Sequence, residues 1–213
     1  MHIELVDVLR CPQPHGDAWL IASITRMEDR DILEGTLGCP ECGAEYPVRD
    51  GVVRFDGHER AATADDHETP GEPDEAEIMR LAAMLDLAPP GGVAALAGDW
   101  GMYARALNDL TSVRVLLVDG PACVDAGWGV YAVRAAEGVF PLGVGTLRAA
   151  ALDARHAALA PRAALALAPA GRLVAPADTP VPEGVRELAR DEMVWVGERV
   201  VGPKLVGLTR RDS

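Results

Sequence analysis

Cys39 and Cys42, followed by Gly43, are the residues of this sequence best suited to hold a metal. Two thiolates on a Cys-x-x-Cys turn can face one ion. A structural zinc site takes four ligands, so a second pair must come from elsewhere in the chain. Cys11 and His15 offer it at Cys-x-x-x-His spacing. Position 14, where a cysteine would complete a second Cys-x-x-Cys, is Pro14. His15 is therefore the expected fourth ligand, with Asp17 the weaker candidate. Four protein ligands would close the coordination shell and make the zinc structural rather than catalytic. Cys123 has no cysteine or histidine near it in sequence and reads as a small buried residue.

The elements that must position these ligands are short. Glu4 to Leu9 reads as a helical turn or strand leading into Cys11, and Trp19–Ile24 and Ile32–Leu37 read as strands, the second delivering the chain to Cys39. Tyr46–Val48 and Val52–Phe55 flank an Asp50-Gly51 turn and close a small sheet. A unit of about 55 residues has little core of its own, so a metal would supply much of its folding energy.

Residues 56–74 read as an acidic linker. Between Asp56 and Glu77 nine acids face a single Arg60, which accounts for most of the net charge of −13. Such self-repelling charge predicts an extended segment. No basic patch stands out to neutralise phosphates, which argues against autonomous nucleic-acid binding. The acidic, alternating start and the lack of a long unbroken apolar run predict a cytoplasmic protein without membrane insertion.

From Glu75 the pattern changes. Ile78, Leu81, Ala82 and Leu85 fall at helical spacing, and the helix must end before Pro89-Pro90. Apolar runs at Val93–Ala97, Val113–Val118, Val130–Val133, Leu147–Leu152 and Arg172–Ala175 read as buried strands. Met102–Leu110 and Arg155–Leu167 read as helices between them. Glu192–Val201 and Lys204–Thr209 read as a hairpin around Gly202-Pro203. Only 4% of residues are aromatic, so the core must be Ala, Val and Leu. The expected fold is α/β: a doubly wound, mostly parallel Rossmann-like sheet with a terminal antiparallel hairpin, preceded by a small zinc-ribbon domain. The expected division is 1–55 ribbon, 56–74 linker and 75–213 Rossmann-like domain.

Two resemblances attach to these units. Leu5-Val6-Asp7-Val8-Leu9-Arg10-Cys11-Pro12, Leu33 through Gly43, and Tyr46-Pro47-Val48-Arg49-Asp50-Gly51-Val52 resemble the small zinc-ribbon proteins that bind and activate tRNA, rRNA and release-factor methyltransferases. In that family the ribbon sits against a partner enzyme, which implies a protein partner. Residues 75–213 resemble an S-adenosylmethionine-dependent methyltransferase, best at Leu167-Ala168-Pro169-Ala170-Gly171-Arg172-Leu173-Val174. A ribbon and a methyltransferase in one chain is also the layout of some bacterial rRNA methyltransferases.

The second resemblance implies a cofactor loop after the first strand and assigns Gly98, Asp99, Gly101 and Asp119 to cofactor binding. The loop is altered. Ala95 stands at the usual acid, Ala97 at the first glycine and Asp99 at the second, Trp100 adds bulk, and only Gly101 keeps its place. Asp99 would set a carboxylate near the cofactor's own, a repulsion of about 1 kcal/mol in water and more when desolvated. Asp119 matches the acid that holds ribose hydroxyls, and only a displaced Glu137 is offered toward the adenine. Asp153 and His156 fall where catalytic residues of this fold sit, although Asp153 also reads as a helix N-cap. The expectation is a non-catalytic methyltransferase-like protein acting as a structural or adaptor subunit through protein–protein contacts. The alternative is an active S-adenosylmethionine-dependent methyltransferase acting on RNA, protein or a small molecule.

Overall fold

The computed structural model describes residues 1–56, 73–121, 124 and 127–200. A short 3-10 helix, Ile3–Val8, leads into four strands: β1 (Ile21–Glu28), β2 (Asp31–Gly38), β3 (Glu45–Arg49) and β4 (Val52–Arg54). They form an antiparallel meander. The β3–β4 turn is Asp50-Gly51, with φ of 50° and 76°, the left-handed pair that a two-residue hairpin needs.

The second part runs α1 (Glu75–Met84), β5 (Val93–Ala97), α2 (Ala104–Thr111), β6 (Arg114–Val118), β7 (Val130–Arg134), β8 (Leu147–Ala151), α3 (Ala160–Ala166), β9 (Leu167–Pro176), β10 (Val185–Arg190) and β11 (Val194–Arg199). Asp74 caps α1 by accepting the Glu77 N–H. 3-10 turns precede α2 (Gly98–Tyr103) and α3 (Ala154–Leu159).

All these strands belong to one sheet, in the order β1-β2-β3-β4-β7-β6-β5-β8-β9-β11-β10. β5 to β9 are parallel, and β11 and β10 close the far edge antiparallel. The ribbon joins this sheet directly: β4 pairs in parallel with β7, Val52 opposite Ala132 and Arg54 opposite Arg134.

Strand parity divides the core. Ala94 and Leu96 of β5 share a cluster with Leu81 and Leu85 of α1 and Leu107 of α2. Val93, Ala95 and Ala97 face the other way, into a cluster that holds α3 and the ribbon together. Among the described residues neither the β6–β7 nor the β7–β8 connection carries a helix. The chain's first helix packs on that face instead. Leu5, Val6 and Leu9 join the cluster of Val118, Tyr131, Val133 and Leu142. Leu9 bridges Leu142, and the Arg10 N–H donates to the Pro141 carbonyl at 3.0 Å. Burying a leucine such as Leu9, fully enclosed here, contributes about 2 kcal/mol.

Three expectations need correcting. The helix expected over Arg155–Leu167 is a 3-10 turn followed by the seven-residue α3, and Leu167 already belongs to β9. β9 begins five residues before the expected Arg172, because the chain stays extended through a bulge at its pairing with β8. The terminal hairpin is β10–β11, turned at Asp191, whose Oδ1 accepts the N–H groups of Met193 and Val194 at 2.7 and 2.8 Å. β10 escapes a hydrophobic-pattern reading because it is a solvent-exposed edge. The proposed Lys204–Thr209 strand, most of the 56–74 linker and Cys123 lie outside the described residues. No helix among the described residues is long and apolar enough to cross a membrane.

Candidate metal centre and cofactor crevice

The meander brings Cys11, His15, Cys39 and Cys42 to one point, their ligand atoms all within 4.8 Å of one another. Cys11 Sγ lies 3.7 Å from Cys42 Sγ, and Cys39 Sγ lies 3.4 Å from His15 Nε2. Tetrahedral zinc, with Zn–S of about 2.3 Å and Zn–N of about 2.0 Å, sets such pairs about 3.8 and 3.5 Å apart. The donor set and its spacing therefore fit zinc.

The surroundings orient these donors. His15 Nδ1–H donates to the Gly16 carbonyl at 2.8 Å and lies 3.3 Å from Glu41 Oε2, which leaves Nε2 with its lone pair toward the thiolates. The Tyr46 hydroxyl sits 3.1 Å from Cys11 Sγ. Burial and Cys11 push the Tyr46 phenol up, so it stays protonated and donates to that sulfur. Burial alone would raise the Cys39 thiol. The Cys42 and Glu41 backbone N–H groups and the neighbouring thiols outweigh it, bringing Cys39 to about 7. A thiol at that value gives up its proton readily to a metal. Asp17 pairs instead with Arg10, at 3.4 Å, while the Arg10 guanidinium stacks 3.8 Å from the Trp19 ring. Tyr46, Gly16 and Glu41 are the supporting residues that sequence reasoning missed. Of these, Tyr46 and Glu41 lay within quoted motifs and Gly16 did not.

The second cluster lies at the carboxyl ends of the parallel strands. Strand order reverses between β5 and β8, and a parallel sheet opens its ligand crevice at such a switch point. Here three ties cross it. The Asp99 N–H donates to Asp153 Oδ2 at 3.1 Å, the Trp100 indole N–H donates to the Leu152 carbonyl at 3.0 Å, and Arg155 reaches Asp99 Oδ1 at 2.7 Å. Gly98 has φ of +60°, and any Cβ there would collide with the Asp153 carboxylate. A Cβ at Gly101 would lie 2.8 Å from Pro121 Cδ, so this glycine serves close packing of the loop after β6.

Asp153 is buried and caps the turn before α3, accepting the His156 N–H at 3.0 Å. It also accepts from His156 Nδ1 at 2.6 Å. His156 Nε2 points to Asp119 Oδ2 at 3.8 Å. Asp119, at the end of β6, accepts the Ala135 N–H at 2.9 Å. Asp119 and Asp153 together raise His156 to about 9. Burial pushes Asp153 up, but His156 and the Asp99 N–H outweigh it and hold the carboxyl at about 2. At neutral pH His156 is thus a cation between two carboxylates, with no lone pair to act as a base. The predicted residues Gly98, Asp99, Gly101, Asp119, Asp153 and His156 do come together. Arg155 completes the cluster and Glu137 stays exposed in a turn. Trp100 and the Leu152 carbonyl are the ties that the sequence did not announce.

Residues 2–51 match the family model of Trm112p-like proteins. The family match covers the ribbon alone, and the remainder of the chain is an α/β unit on a mixed sheet with a parallel centre. No curated protein matches the chain. Among solved structures it is similar to one described as a methyltransferase from an antibiotic biosynthesis pathway of Anabaena variabilis. That match has 18% identity and a TM-score of 0.41, over 49% of this chain and 46% of that one. A chain of the complex between the Haloferax volcanii Trm112 methyltransferase activator and a methyltransferase gives 12% identity and a TM-score of 0.44, over 59% and 90%. Burkholderia thailandensis 1,6-didemethyltoxoflavin-N1-methyltransferase gives 16% and 0.42, over 60% and 80%. The chain spans less than half the length of the first of these. At such identities and scores the likeness concerns the chain path alone, and nothing of function is taken from it.

Proposed function

We propose that this chain is a non-catalytic, methyltransferase-like protein acting as a structural or adaptor subunit through protein–protein contacts. One zinc ion on Cys11, His15, Cys39 and Cys42 holds its ribbon. The observation that carries this reading is the bridged switch point: Asp99 and Trp100 on one side are tied to Leu152, Asp153 and Arg155 on the other. The residues present do not fit S-adenosylmethionine. The Gly98 face that would approach the cofactor is covered by the Asp153 carboxylate, and Asp99 adds a second negative charge. In this reading Gly98, Asp99, Gly101 and Asp119 are structural, and Asp153 and His156 do no catalysis.

The partner half of the proposal is supported by the ribbon's match to Trm112p-like proteins. The division into a 1–55 ribbon, a 56–74 linker and a 75–213 domain, and a cytoplasmic location, belong to the same proposal. Calorimetric titration of the purified full chain with S-adenosylmethionine tests it. No binding at millimolar cofactor is expected, and micromolar binding would return the chain to the active methyltransferases. A pull-down at native expression should retain a specific protein. Recovery of the chain alone counts against the adaptor role.

A further inference from the structure

The crevice holds three carboxylates, one at the end of each central strand: Asp99 after β5, Asp119 after β6 and Asp153 after β8. Left alone, they would repel one another across the switch point. Two cations lie among them. His156 spans Asp153 on one side and Asp119 on the other, at 2.6 and 3.8 Å. Arg155 spans Asp153 and Asp99, at 3.3 and 2.7 Å. From β7, Arg134 ties in the loop after β6 by donating to the Gly120 carbonyl at 2.7 Å. The His156 ring is largely buried, its side chain only 14% exposed.

We infer that His156, buried in the crevice, and Arg155, at its exposed rim, form a cationic strap that balances the charge a bound nucleoside cofactor would otherwise meet. The inference rests on the non-catalytic reading above and says what closed the site. The crevice is therefore latent rather than absent. The ribose-side acid Asp119 keeps its place at the end of β6, engaged by His156 and by the Ala135 N–H. Withdrawing the strap frees Asp119 from His156 and removes one of the three ties across the switch point, that of Arg155 to Asp99, while those of Asp99 to Asp153 and Trp100 to Leu152 stay.

The experiment is equilibrium dialysis of the full chain against S-adenosylhomocysteine, for the natural protein and for Arg155→Ala/His156→Ala. Binding by the double variant at least about tenfold tighter than by the natural protein is expected. A folded double variant, judged by the near-ultraviolet signal of buried Trp195, that gains no affinity overturns the strap and leaves the non-catalytic reading intact. Tight binding by the natural protein overturns that reading itself. A second measurement needs no folded double variant: the histidine ring resonances of the natural chain, followed against pH. His156 is expected to keep its proton well above the ordinary histidine range, and its midpoint should fall in Asp119→Asn. Ordinary titration in the natural chain would rule the strap out.

Discussion

The ribbon and the crevice are both places where donor side chains converge, and they converge in opposite ways. In the ribbon, three sulfurs and one imidazole nitrogen face a common point with the spacing an ion would set. In the crevice each of the three acids faces a cation from its own chain, and the Asp99 N–H donates to Asp153. A cluster of ligand-type residues becomes a binding site only when its charge is left unbalanced. By that measure the proposed zinc site and the proposed closed crevice are opposite uses of ligand-type residues.

Cys39→Ser attacks the open cluster and should have the largest effect. Elemental analysis should fall from one zinc per chain toward none, with a stability loss of at least about 3 kcal/mol. Because β4 pairs with β7 and one buried cluster spans both parts, the loss should reach Trp195, which is fully buried at the other end of that cluster. An unchanged Trp195 signal would mean that the two parts unfold independently.

Asp153→Ala attacks the closed cluster. It removes the cap of the turn before α3, the acceptor for the Asp99 N–H and the partner of His156 at once. A loss of about 3 kcal/mol in urea denaturation is expected. A loss below about 0.5 kcal/mol would show that the network does not hold the strand ends.

The two regions should also separate by pH. His156 is raised from 6.5 to about 9, so its contribution is full below the ordinary value and fades as pH rises through about 9. Asp153 is lowered from 3.8 to about 2, so its contribution is present above 3.8 and fades as pH falls through about 2. Stability from the crevice should thus be flat between about pH 4 and 6.5, and it should drop by about 3 kcal/mol by pH 10. His156→Gln should abolish the alkaline part of that drop. If the drop survives, it belongs to another group.

The smallest effect is expected at Glu41→Gln. Glu41 touches the ligand His15 and not the metal position, so zinc affinity in a chelator competition should weaken by about tenfold. Asp17→Ala, which lifts only a partner of Arg10, should leave affinity unchanged. The reverse outcome would exchange the roles of His15 and Asp17.

Much of this architecture is local and was legible on that account. The Cys39–Cys42 turn, the Asp50-Gly51 hairpin, the capped helix at Glu75 and the buried run Val93–Ala97 each depend on neighbours a few residues away. Their positions follow from spacing and turn chemistry. The pairing of Cys11 and His15 with that turn was inferred from ligand count, since zinc leaves few other choices. Edge strand β10 was not legible, because its residues lie in solvent and carry no apolar alternation.

The sequence by itself determined the metal-type donors and most of the strands, and its resemblance to a methyltransferase implied a loop after β5 that departs from the usual glycine pattern. Only the tertiary structure decided what replaced that pattern. The contact of Asp99 with Asp153 joins residues 54 apart, and β4 meets β7 across the whole linker. Such contacts depend on where the strands stack in the sheet, which is a property of the assembled core rather than of any stretch of chain. That same stacking put Asp119, Asp153 and His156 within reach of one another, with the imidazole between the two carboxylates.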